Sequence, residues 1–379
     1  MNFYGNFKLG ILGGGQLGRM LIQSATDFNI DIYSLDPDKN APCSLLATEF
    51  TIGSLTDFES VYQFGKDKNL LTIEIENVNV DALLQLQSEG VKIFPQPEII
   101  KIIQDKRLQK QFYKDHHIPT SDFILVKNAE EIRKNISFLP AFQKLGTSGY
   151  DGRGVQRLSS ENDLEKILEG ESLLEKYVDF EKEISVIVAR NEKGEVSAFP
   201  VVELVFHPVH NLVEYLFAPA DIKDSIHQEA TDIALRVIKE LNMVGILAVE
   251  MFLTKDGKIL VNEIAPRPHN SGHQTIEANF TSQYEQHLRS ILNLPLGSTR
   301  QIIPAAMINL LGEDGFSGNA RYEGLEEALS IEGVHIHLYG KKQTKPFRKM
   351  GHITILNENI DALKHSVEKV KKIVKVLSY

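Results

Sequence analysis

Apolar residues along the first hundred positions alternate between two periods. Short apolar runs, such as KLGIL at 8–12 and LLTIEI at 70–75, are separated by amphipathic stretches such as RMLIQSATDF at 19–28. Short apolar runs predict buried strands, and apolar spacings of three and four predict helices. Alternation of the two predicts a small parallel sheet with helices on both faces. Pro95 and Pro97 interrupt this rhythm.

The rest of the chain divides into a longer central block and a short final block. The central block opens with a predicted helix at 98–115 and contains a long amphipathic helix at 224–241, whose apolar residues recur every three or four positions. The final block holds a few strands, a basic loop and a last helix at 360–374. We therefore predict three domains, which comprise residues 1–98, 99–298 and 299–379.

Composition is typical of a globular protein. The 379 residues are 42% hydrophobic and suffice for two or three domains. No apolar run approaches the roughly 18 residues that cross a bilayer, and the first residues lack the pattern of a secretion signal. The lone Cys43 cannot form an internal disulfide. A net charge of -10 argues against broad nucleic-acid binding. We expect a cytoplasmic protein with no membrane or nucleic-acid partner.

A glycine-rich turn follows the first predicted strand. In GGGQLG at 13–18, Gly13, Gly15 and Gly18 have the spacing of a dinucleotide-binding turn, and Asp36 ends the next apolar run. Glycines let backbone approach a ligand, and the start of a helix favours an anion. The turn alone fits a dinucleotide, another phosphate ligand, or a tight strand-to-helix connection without a ligand.

The segment VGILAVEMFLTKDGKILVNEIAPRPHNSGH at 244–273 predicts a β-hairpin. The Asp-Gly dipeptide at 256–257 predicts a two-residue turn. Counting outward from that turn puts Leu253 opposite Leu260, and Glu250 opposite Glu263 on the same face. Two facing carboxylates repel each other unless a cation lies between them, and hard oxygen ligands suit magnesium that carries nucleotide phosphates. The alternative is that Glu250 faces solvent at a strand end.

Two further stretches of the central block point to a nucleotide. AFQKLGTSGYDGRGV at 141–155 carries Lys144 and four glycines, which predicts a lid over phosphates, although it lacks the ending of a Walker loop. In LLEKYVDFEKE, the backbone of residues 175–178 follows a short apolar strand and is a candidate for contact with a purine edge, and Glu183 is a candidate for the ribose hydroxyls. The alternative for the charged DFEKE run is a solvated turn.

The final block contains YGKKQTKPFRKMGH at 339–352, with five cations within nine residues. In an acidic chain, such a cluster suits the phosphate of a substrate. The alternative is an exposed basic loop.

Together these stretches resemble the ATP-grasp superfamily. More narrowly, GGGQLGRM, EIEN, GYDGRG, NEIAPRPHNSGH and RKMGH are similar to the 5-(carboxyamino)imidazole ribonucleotide synthase family. The resemblance implies an α/β protein, α+β in its central part. It implies an ATP-grasp fold with an amino-terminal dinucleotide-like parallel sheet domain and a small carboxy-terminal domain. In this family the glycine turn faces the imidazole ribonucleotide rather than a nicotinamide.

The resemblance also implies a set of site residues. The ATP site maps onto Lys106, Lys144, Gly149, Tyr150, Asp151, Gly152, Arg153, Gly154, Val155, Glu175, Lys176, Tyr177, Val178, Glu183, Asn262 and Glu263. Catalytic roles map onto Tyr150, Arg153, Arg267 and His273. Substrate contacts map onto Gly15, Gln16, Leu17, Glu74 or Glu76, Asn270, Lys341, Arg348 and Lys349. Two magnesium ions are implied, held by Glu250 and Glu263.

One position departs from the family pattern. The family commonly carries a histidine near the nucleotide, three residues after a glutamate, where this chain has Phe206. We keep His207, one residue later, as the candidate.

The implied reaction is the ATP-dependent carboxylation of 5-aminoimidazole ribonucleotide with bicarbonate, in purine synthesis, by a homodimer. It runs through carboxyphosphate, and either this intermediate or carbon dioxide released from it is captured by the amine of the ribonucleotide. Two other hypotheses remain open. One is a formate-dependent glycinamide ribonucleotide transformylase, a sister ATP-grasp ligase. The other is a nicotinamide oxidoreductase, which a thermal shift with NAD would reveal.

Overall fold

The computed structural model describes residues 7–147, 154–207 and 212–379. The amino-terminal part forms a five-stranded parallel sheet of strand order β3-β2-β1-β4-β5. Its elements are β1 (Lys8–Leu12), α1 (Gln16–Thr26), β2 (Asp31–Asp36), β3 (Glu49–Ile52), α2 (Phe58–Gly65), β4 (Leu70–Ile73), α3 (Val80–Ser88) and β5 (Lys92–Ile93). The predicted strand–helix alternation is confirmed. The pattern missed the short edge strand β3, which lacks a continuous apolar run.

The glycine turn lies where the strand order of this sheet reverses. β1 is flanked by β2 on one side and β4 on the other. The glycine turn that follows β1 therefore lies in a crevice at the carboxyl ends of the strands. Gly13 has a φ of +106° there, a conformation that favours glycine.

The prediction of a single helix at 98–115 is wrong, because the helix is interrupted at Asp105. The structure has α4 (Pro97–Gln104) and α5 (Lys106–Asp115), separated by Asp105 in an extended conformation. Its carboxylate accepts a hydrogen bond from the Arg107 amide at 2.9 Å and so caps the second helix. Lys106 therefore begins a helix instead of lying within one.

The central part contains two antiparallel sheets. The smaller sheet has the order β6-β9-β7-β8, and β10 and β12–β15 belong to a nine-stranded sheet. The elements are β6 (Phe123–Val126), α6 (Ala129–Lys134), β7 (Ala141–Leu145), β8 (Val155–Leu158), β9 (Ser172–Lys176), β10 (Phe180–Arg190), β11 (Val196–Ala198), β12 (Val202–Phe206), β13 (Val213–Ala218), α7 (Asp224–Glu240), β14 (Gly245–Thr254), β15 (Ile259–Ala265), α8 (Thr275–Ala278) and α9 (Gln283–Ile291). The helix predicted at 224–241 is confirmed as α7, and its apolar stripe packs in the core against the large sheet.

The carboxy-terminal strands extend the large sheet. Its order runs β15-β14-β10-β12-β13-β16-β20-β18, and the ninth strand, β11, pairs with β10 beside this path. β13 pairs with β16 through Tyr215 and Ile308. The elements are β16 (Ala305–Leu311), β17 (Gly318–Glu323), α10 (Leu325–Leu329), β18 (Val334–Leu338), β19 (Gln343–Thr344), β20 (Lys349–Leu356), α11 (Ile360–Ile373) and β21 (Lys375–Ser378). The sheet is thus continuous across the predicted boundary at residue 298.

One apolar cluster ties the amino-terminal sheet to the rest of the chain. Leu9 and Leu21 pack with Tyr284 and Leu288 of α9 and with Tyr339 near the basic loop. This packing brings the glycine turn, α9 and the carboxy-terminal strands to one place. Among the helices that the structure describes, none has the length and apolar character to cross a membrane.

Candidate active site

The hairpin of β14 and β15 places Glu250 directly opposite Glu263, as predicted. The predicted turn is wrong, however. The turn has three residues, with Gly257 at a φ of +82°, and Leu253 pairs with Ile259. A bulge that leaves Asn262 unpaired then shifts the register back by one residue.

A third carboxylate shares this face of the sheet. Glu250 pairs with Ser185 of β10, and Glu183 lies two residues from Ser185 on that strand. Because side chains alternate along a strand, Glu183, Glu250 and Glu263 project from the same face of three neighbouring strands. The sheet therefore gathers negative charge at one place.

Among the described residues, the structure gives a close lysine or arginine to one of the three carboxylates, Glu263. The Lys106 Nζ lies 3.0 Å from the Glu263 Oε2, and its charge lowers the pKa of Glu263. Burial and the neighbouring carboxylates raise the pKa of Glu250 to about 8. Burial and Glu263 raise the pKa of Glu183 to about 7. Without a cation, Glu250 and Glu183 therefore hold their protons up to near-neutral pH, and a bound cation would lower both pKa values, which is the electrostatic signature of a cation site.

The donor set fits magnesium that also binds phosphates. Among the described residues, no three acidic, histidine or cysteine side chains form a group that could hold a metal ion. Magnesium typically takes one or two carboxylates, with waters and substrate phosphates as further ligands. Glu250 and Glu263 supply such a pair.

Lys144 points toward a buried carboxylate. Its Nζ lies 2.7 Å from the Oε2 of Glu175 at the end of β9. Although burial opposes ionisation, Lys144 and Lys110 hold the pKa of Glu175 down at about 2. Sequence reasoning missed Lys110, whose signal was its position one turn after Lys106 on the same helix.

The segment predicted to face a purine, residues 175–178, lies half within β9 and half after it. The Lys176 amide donates to the Asp122 carbonyl at 2.9 Å, so this amide already has a hydrogen-bond partner within the protein. Tyr177 and Val178 follow the strand, and the Arg157 guanidinium lies 5.3 Å from the Tyr177 ring centre.

The predicted lid lies mostly outside the described residues. This applies to Gly149, Tyr150, Asp151, Gly152 and Arg153. Their roles stay predictions.

Gly154, Val155 and His207, which the predicted nucleotide site also includes, lie among the described residues. Gly154 has a φ of +70°, and Val155 begins β8. His207 follows β12, and its amide donates to the Leu212 carbonyl at 2.8 Å. Its role near the nucleotide stays a prediction.

In the glycine turn, two backbone amides already have carboxylate partners. The Gly14 amide donates to the Asp36 Oδ2 at 2.7 Å, and the Gly15 amide donates to the Glu74 carboxylate. Asp36 also accepts from the Asp38 amide at 2.8 Å. Asp36 is therefore engaged within its own turn, which removes the main observation in favour of a nicotinamide pocket.

Side-chain space in this turn is fully used. A Cβ on Gly15 would lie 2.2 Å from the Glu74 Oε1, and one on Gly18 would lie 2.9 Å from the Cys43 Sγ. The Leu17 side chain is buried in the core, so only its backbone is available to a ligand. Gln16 is the first residue of α1.

The two candidate glutamates of the amino-terminal part take different partners. Burial raises the pKa of Glu74 to about 7, against the Gly15 hydrogen bond and the charges of Arg267 and Lys341. The Glu76 Oε1 lies 2.8 Å from the Arg267 Nε. Arg267 thus lies between the amino-terminal carboxylates and Glu263, whose charge also acts on it.

His273 is buried and held in one tautomer. Gln283 accepts from the His269 amide through Oε1 and donates to the His269 carbonyl through Nε2, both at 2.8 Å, which fixes its orientation. The same Nε2 and the Tyr284 hydroxyl lie 3.1 Å from the His273 Nδ1. Burial holds the pKa of His273 well below its usual value. The ring is therefore neutral, accepts at Nδ1 and carries its proton on Nε2.

Two polar clusters surround His273; sequence reasoning named Asn270 in one of them and missed His337, His352 and Asn309. The His352 ring lies 4.6 Å from His273 and 4.4 Å from His337, its cross-strand partner. The Asn270 and Asn309 amides bond each other reciprocally at 2.8 and 3.0 Å. These contacts join the segment after β15 to the carboxy-terminal strands.

The basic loop lies beside both the glycine turn and the paired glutamates. The Lys341 Nζ donates to the Lys349 carbonyl at 2.7 Å, and the Arg348 Nη1 donates to the Gln343 carbonyl at 2.6 Å. Burial, then Arg348, lowers the pKa of Lys341 to about 8. The Lys349 charge partly opposes the raised pKa of Glu250 and, after burial, contributes to the lowered pKa of His273. The structure thus brings together predicted residues from all three parts of the chain.

Three family models match successive parts of the chain. They describe a ribonucleotide synthetase preATP-grasp domain at residues 7–104, an ATP-grasp domain at 111–284, and a phosphoribosylaminoimidazole carboxylase C-terminal domain at 305–366. These matches confirm the predicted ATP-grasp fold with its amino-terminal sheet domain and carboxy-terminal domain.

Relatives match over nearly the whole chain. N5-carboxyaminoimidazole ribonucleotide synthase of Bacillus subtilis is 38% identical over 365 residues, covering 94% of this chain and 93% of that protein. The chloroplastic phosphoribosylaminoimidazole carboxylase of Vigna aconitifolia is 38% identical over 95% of this chain. This chain spans 66% of the length of that plant protein.

Solved structures agree with these relatives. N5-carboxyaminoimidazole ribonucleotide synthetase from Thermotoga maritima is 45% identical, with a TM-score of 0.91 over 98% of this chain and 100% of that one. The Aspergillus clavatus N5-carboxyaminoimidazole synthase, solved in complex with ADP and 5-aminoimidazole ribonucleotide, is 35% identical. Its TM-score is 0.86 over 97% of this chain and 98% of that one.

Proposed function

Because the chain belongs to the N5-carboxyaminoimidazole ribonucleotide synthase family, we propose that it carboxylates 5-aminoimidazole ribonucleotide with bicarbonate at the expense of ATP. The observation that carries this proposal is the position of the paired Glu250 and Glu263. They lie beside Lys106 and within electrostatic range of the basic loop. The hairpin glutamates with Lys106 suit a metal-bound nucleotide, and the adjoining basic loop suits a phosphorylated substrate.

The reaction proceeds in two steps. A bicarbonate oxygen attacks the γ-phosphorus of ATP, and the bond to the bridging oxygen of ADP breaks, which gives carboxyphosphate. The exocyclic amine of the ribonucleotide then attacks the carboxyl carbon, phosphate leaves, and the amine loses a proton. Activation is needed because bicarbonate itself is a poor electrophile. The product is the carbamate 5-(carboxyamino)imidazole ribonucleotide.

The residues of this chain take distinct roles in those steps. Lys106 and Lys144 neutralise phosphate charge, and Glu250 with Glu263 would hold magnesium, which screens that charge during transfer. Arg267 supports the bound substrates from between the two regions. The neutral His273 offers its Nε2 proton as a hydrogen-bond donor.

The ribonucleotide lies between the basic loop and the glycine turn. Its 5'-phosphate meets the basic loop through Lys341, Arg348 and Lys349. Its remaining polar groups meet the glycine turn and Glu74. Between the two glutamates we propose Glu74 for this contact, because it lies against the glycine turn, whereas Glu76 is paired with Arg267.

The direct test is an ADP-release assay with 5-aminoimidazole ribonucleotide, with and without bicarbonate. We expect ADP formation to require both. ADP formation that instead required formate and glycinamide ribonucleotide would indicate the sister ligase. Stabilisation by NAD in a thermal shift assay would contradict this interpretation of the glycine turn.

Two further features belong to this proposal. A homodimer is tested by light scattering on the purified protein. A cytoplasmic location is tested by cell fractionation.

A further inference from the structure

Lys110 is a buried lysine outside the residues assigned above. Its side chain is 3% exposed, although it lies on α5 only one turn after Lys106. The ammonium lies 2.5 Å from the Thr120 Oγ1, 3.2 Å from the Ser121 Oγ and 2.6 Å from the Glu175 Oε1. An ammonium has three N–H donors, so these acceptors use all of them.

Glu175 is shared between two lysines of different exposure. Its Oε1 faces Lys110, and its Oε2 faces Lys144 at 2.7 Å. The Lys144 side chain is 17% exposed, against 3% for Lys110. Lys144 can therefore reach a ligand at the surface of the site, whereas Lys110 is enclosed by its protein partners.

The consequence concerns the moment when a nucleotide binds. If Lys144 turns toward a phosphate, Glu175 loses one of its two cations. A buried carboxylate without a cation is costly, which would hold Lys144 back. With Lys110 in place, the carboxylate keeps a partner and Lys144 is free to move.

We propose that Lys110 is a positioning residue that keeps Glu175 paired and so releases Lys144 to bind the nucleotide phosphates. This inference rests on the proposed function only in so far as ATP binds beside Lys144. It assigns Lys110 no contact with ATP.

A second contact extends this role to the metal-binding strand. The Thr120 hydroxyl, which accepts from Lys110, donates to the Val261 carbonyl at 2.7 Å. Val261 lies two residues before Glu263 on β15. Lys110 thus joins the end of β9 to the strand that carries the paired glutamates.

The test compares wild type, Lys110→Met, Glu175→Gln and the double variant. Lys114→Met serves as the matched control, because Lys114 is exposed on the same helix. For each protein, calorimetry measures the Kd of ATP with magnesium, without ribonucleotide or bicarbonate. Steady-state assays measure kcat and the KM of each substrate.

We expect Lys110→Met to raise the Kd and KM of ATP by about tenfold or more, with the KM of the ribonucleotide unchanged. In the Glu175→Gln background there is no charge to neutralise, so adding Lys110→Met should change the Kd of ATP by less than about threefold. Lys114→Met should behave as wild type.

Two results would overturn the inference. One is unchanged ATP binding in Lys110→Met. The other is an ATP affinity that Lys110→Met weakens equally in the wild-type and Glu175→Gln backgrounds, which is the signature of a purely structural role. If Lys110→Met alone fails to fold, the comparison of Glu175→Gln with the double variant still decides the question.

Failure of the proposed function is distinguishable from failure of this inference. A wild type that binds ATP but does not carboxylate the ribonucleotide would refute the function and leave the Lys110 test intact.

Discussion

The glycine turn and the β14–β15 hairpin both use carboxylates, but in opposite ways. At the turn, Asp36 and Glu74 accept hydrogen bonds from the amides of Gly14 and Gly15. At the hairpin, Glu250 faces another carboxylate across the sheet. The turn is therefore internally satisfied, whereas the hairpin opposes ionisation of both glutamates, a cost that a bound cation would relieve.

This difference separates two kinds of binding region within one site. The turn lies beside partly buried lysine and arginine side chains of the basic loop and the segment after β15, which suits an anionic substrate. The hairpin suits the metal that accompanies a nucleotide. The difference predicts that substitutions in one region should affect one substrate and spare the other.

The largest effect is expected at the hairpin. Glu263→Gln or Glu250→Gln should lower kcat for ATP cleavage by about a hundredfold or more, because a metal ligand is lost. Rates of ADP release at saturating magnesium measure this effect.

The same variants sharpen the electrostatic argument. Without magnesium, Glu250→Gln should unfold at the same or a higher temperature than wild type, because the substitution removes repulsion between carboxylates. Substantial activity in both variants, or a large loss of stability without metal, would refute the assignment.

The next largest effect is expected at the basic loop. For the ribonucleotide substrate, Lys341→Ala or Arg348→Ala should raise KM by roughly ten- to a hundredfold, from lost charge-assisted contacts of about 1.5 to 3 kcal/mol. The KM of ATP should stay within about twofold of wild type. Equal effects on both substrates would show that the two regions are not separate.

A smaller effect is expected at the turn. Gly15→Ala would place its Cβ 2.2 Å from the Glu74 Oε1. The carboxylate is the far end of a flexible side chain and can move, so we expect a loss of about 1 kcal/mol in the free energy of unfolding. Thermal shift assays should show stabilisation by the ribonucleotide reduced and stabilisation by ATP with magnesium retained.

The control for this prediction is Gly257→Ala, at a glycine of positive φ far from the turn. That variant should lose stability but keep the response to both ligands. Full stabilisation of Gly15→Ala by the ribonucleotide would place this ligand elsewhere.

The remaining prediction concerns stability alone and is a pH dependence at Glu74. Its pKa of about 7 in the folded protein lies above the ordinary 4.5. Between about pH 4.5 and pH 7, the folded state therefore keeps the Glu74 proton that the unfolded state has lost. The contribution of this proton to the free energy of unfolding is fully present below about pH 4.5 and is lost as the pH rises to about 7. Glu74→Gln, which stays neutral, should gain about 2 kcal/mol relative to wild type between about pH 5 and pH 8. Urea unfolding across this range measures the difference, and a constant difference would contradict the prediction.

The hairpin also shows how far sequence reasoning reached. The Asp-Gly dipeptide predicted the right strands and the right glutamate pair from a turn that was one residue too short. The longer turn and the bulge at Asn262 compensate each other, so the error disappears at Glu250. Short-range turn signals do not distinguish these arrangements, because both place Gly257 at a positive φ.

The break at Asp105 shows what sequence reasoning lacked. Residues 98–115 have a continuous helical pattern, so periodicity alone favours one helix. In the structure, Gln104 donates to the carbonyls of Glu76 and Val78 at 2.7 and 2.8 Å. The Lys106 amide donates to the Gly146 carbonyl at 2.9 Å. These partners are distant in sequence, and they decide where α5 begins.

By itself, the sequence determined the features that depend on local chemistry. Strand and helix periodicity determined the parallel sheet and α7, since burial of one face follows from residue spacing. The motifs determined the family, and through it the residues proposed for ATP and substrate.

Only the tertiary structure decided which of those residues meet, and in what state of charge. It paired Lys110 with Glu175 and aimed Gln283 at His273, which fixed a tautomer. It also extended the central sheet into the carboxy-terminal strands. The physical reason is that pKa values, ion pairs and tautomers depend on burial and on partners far apart in the chain, which spacing along the sequence does not specify.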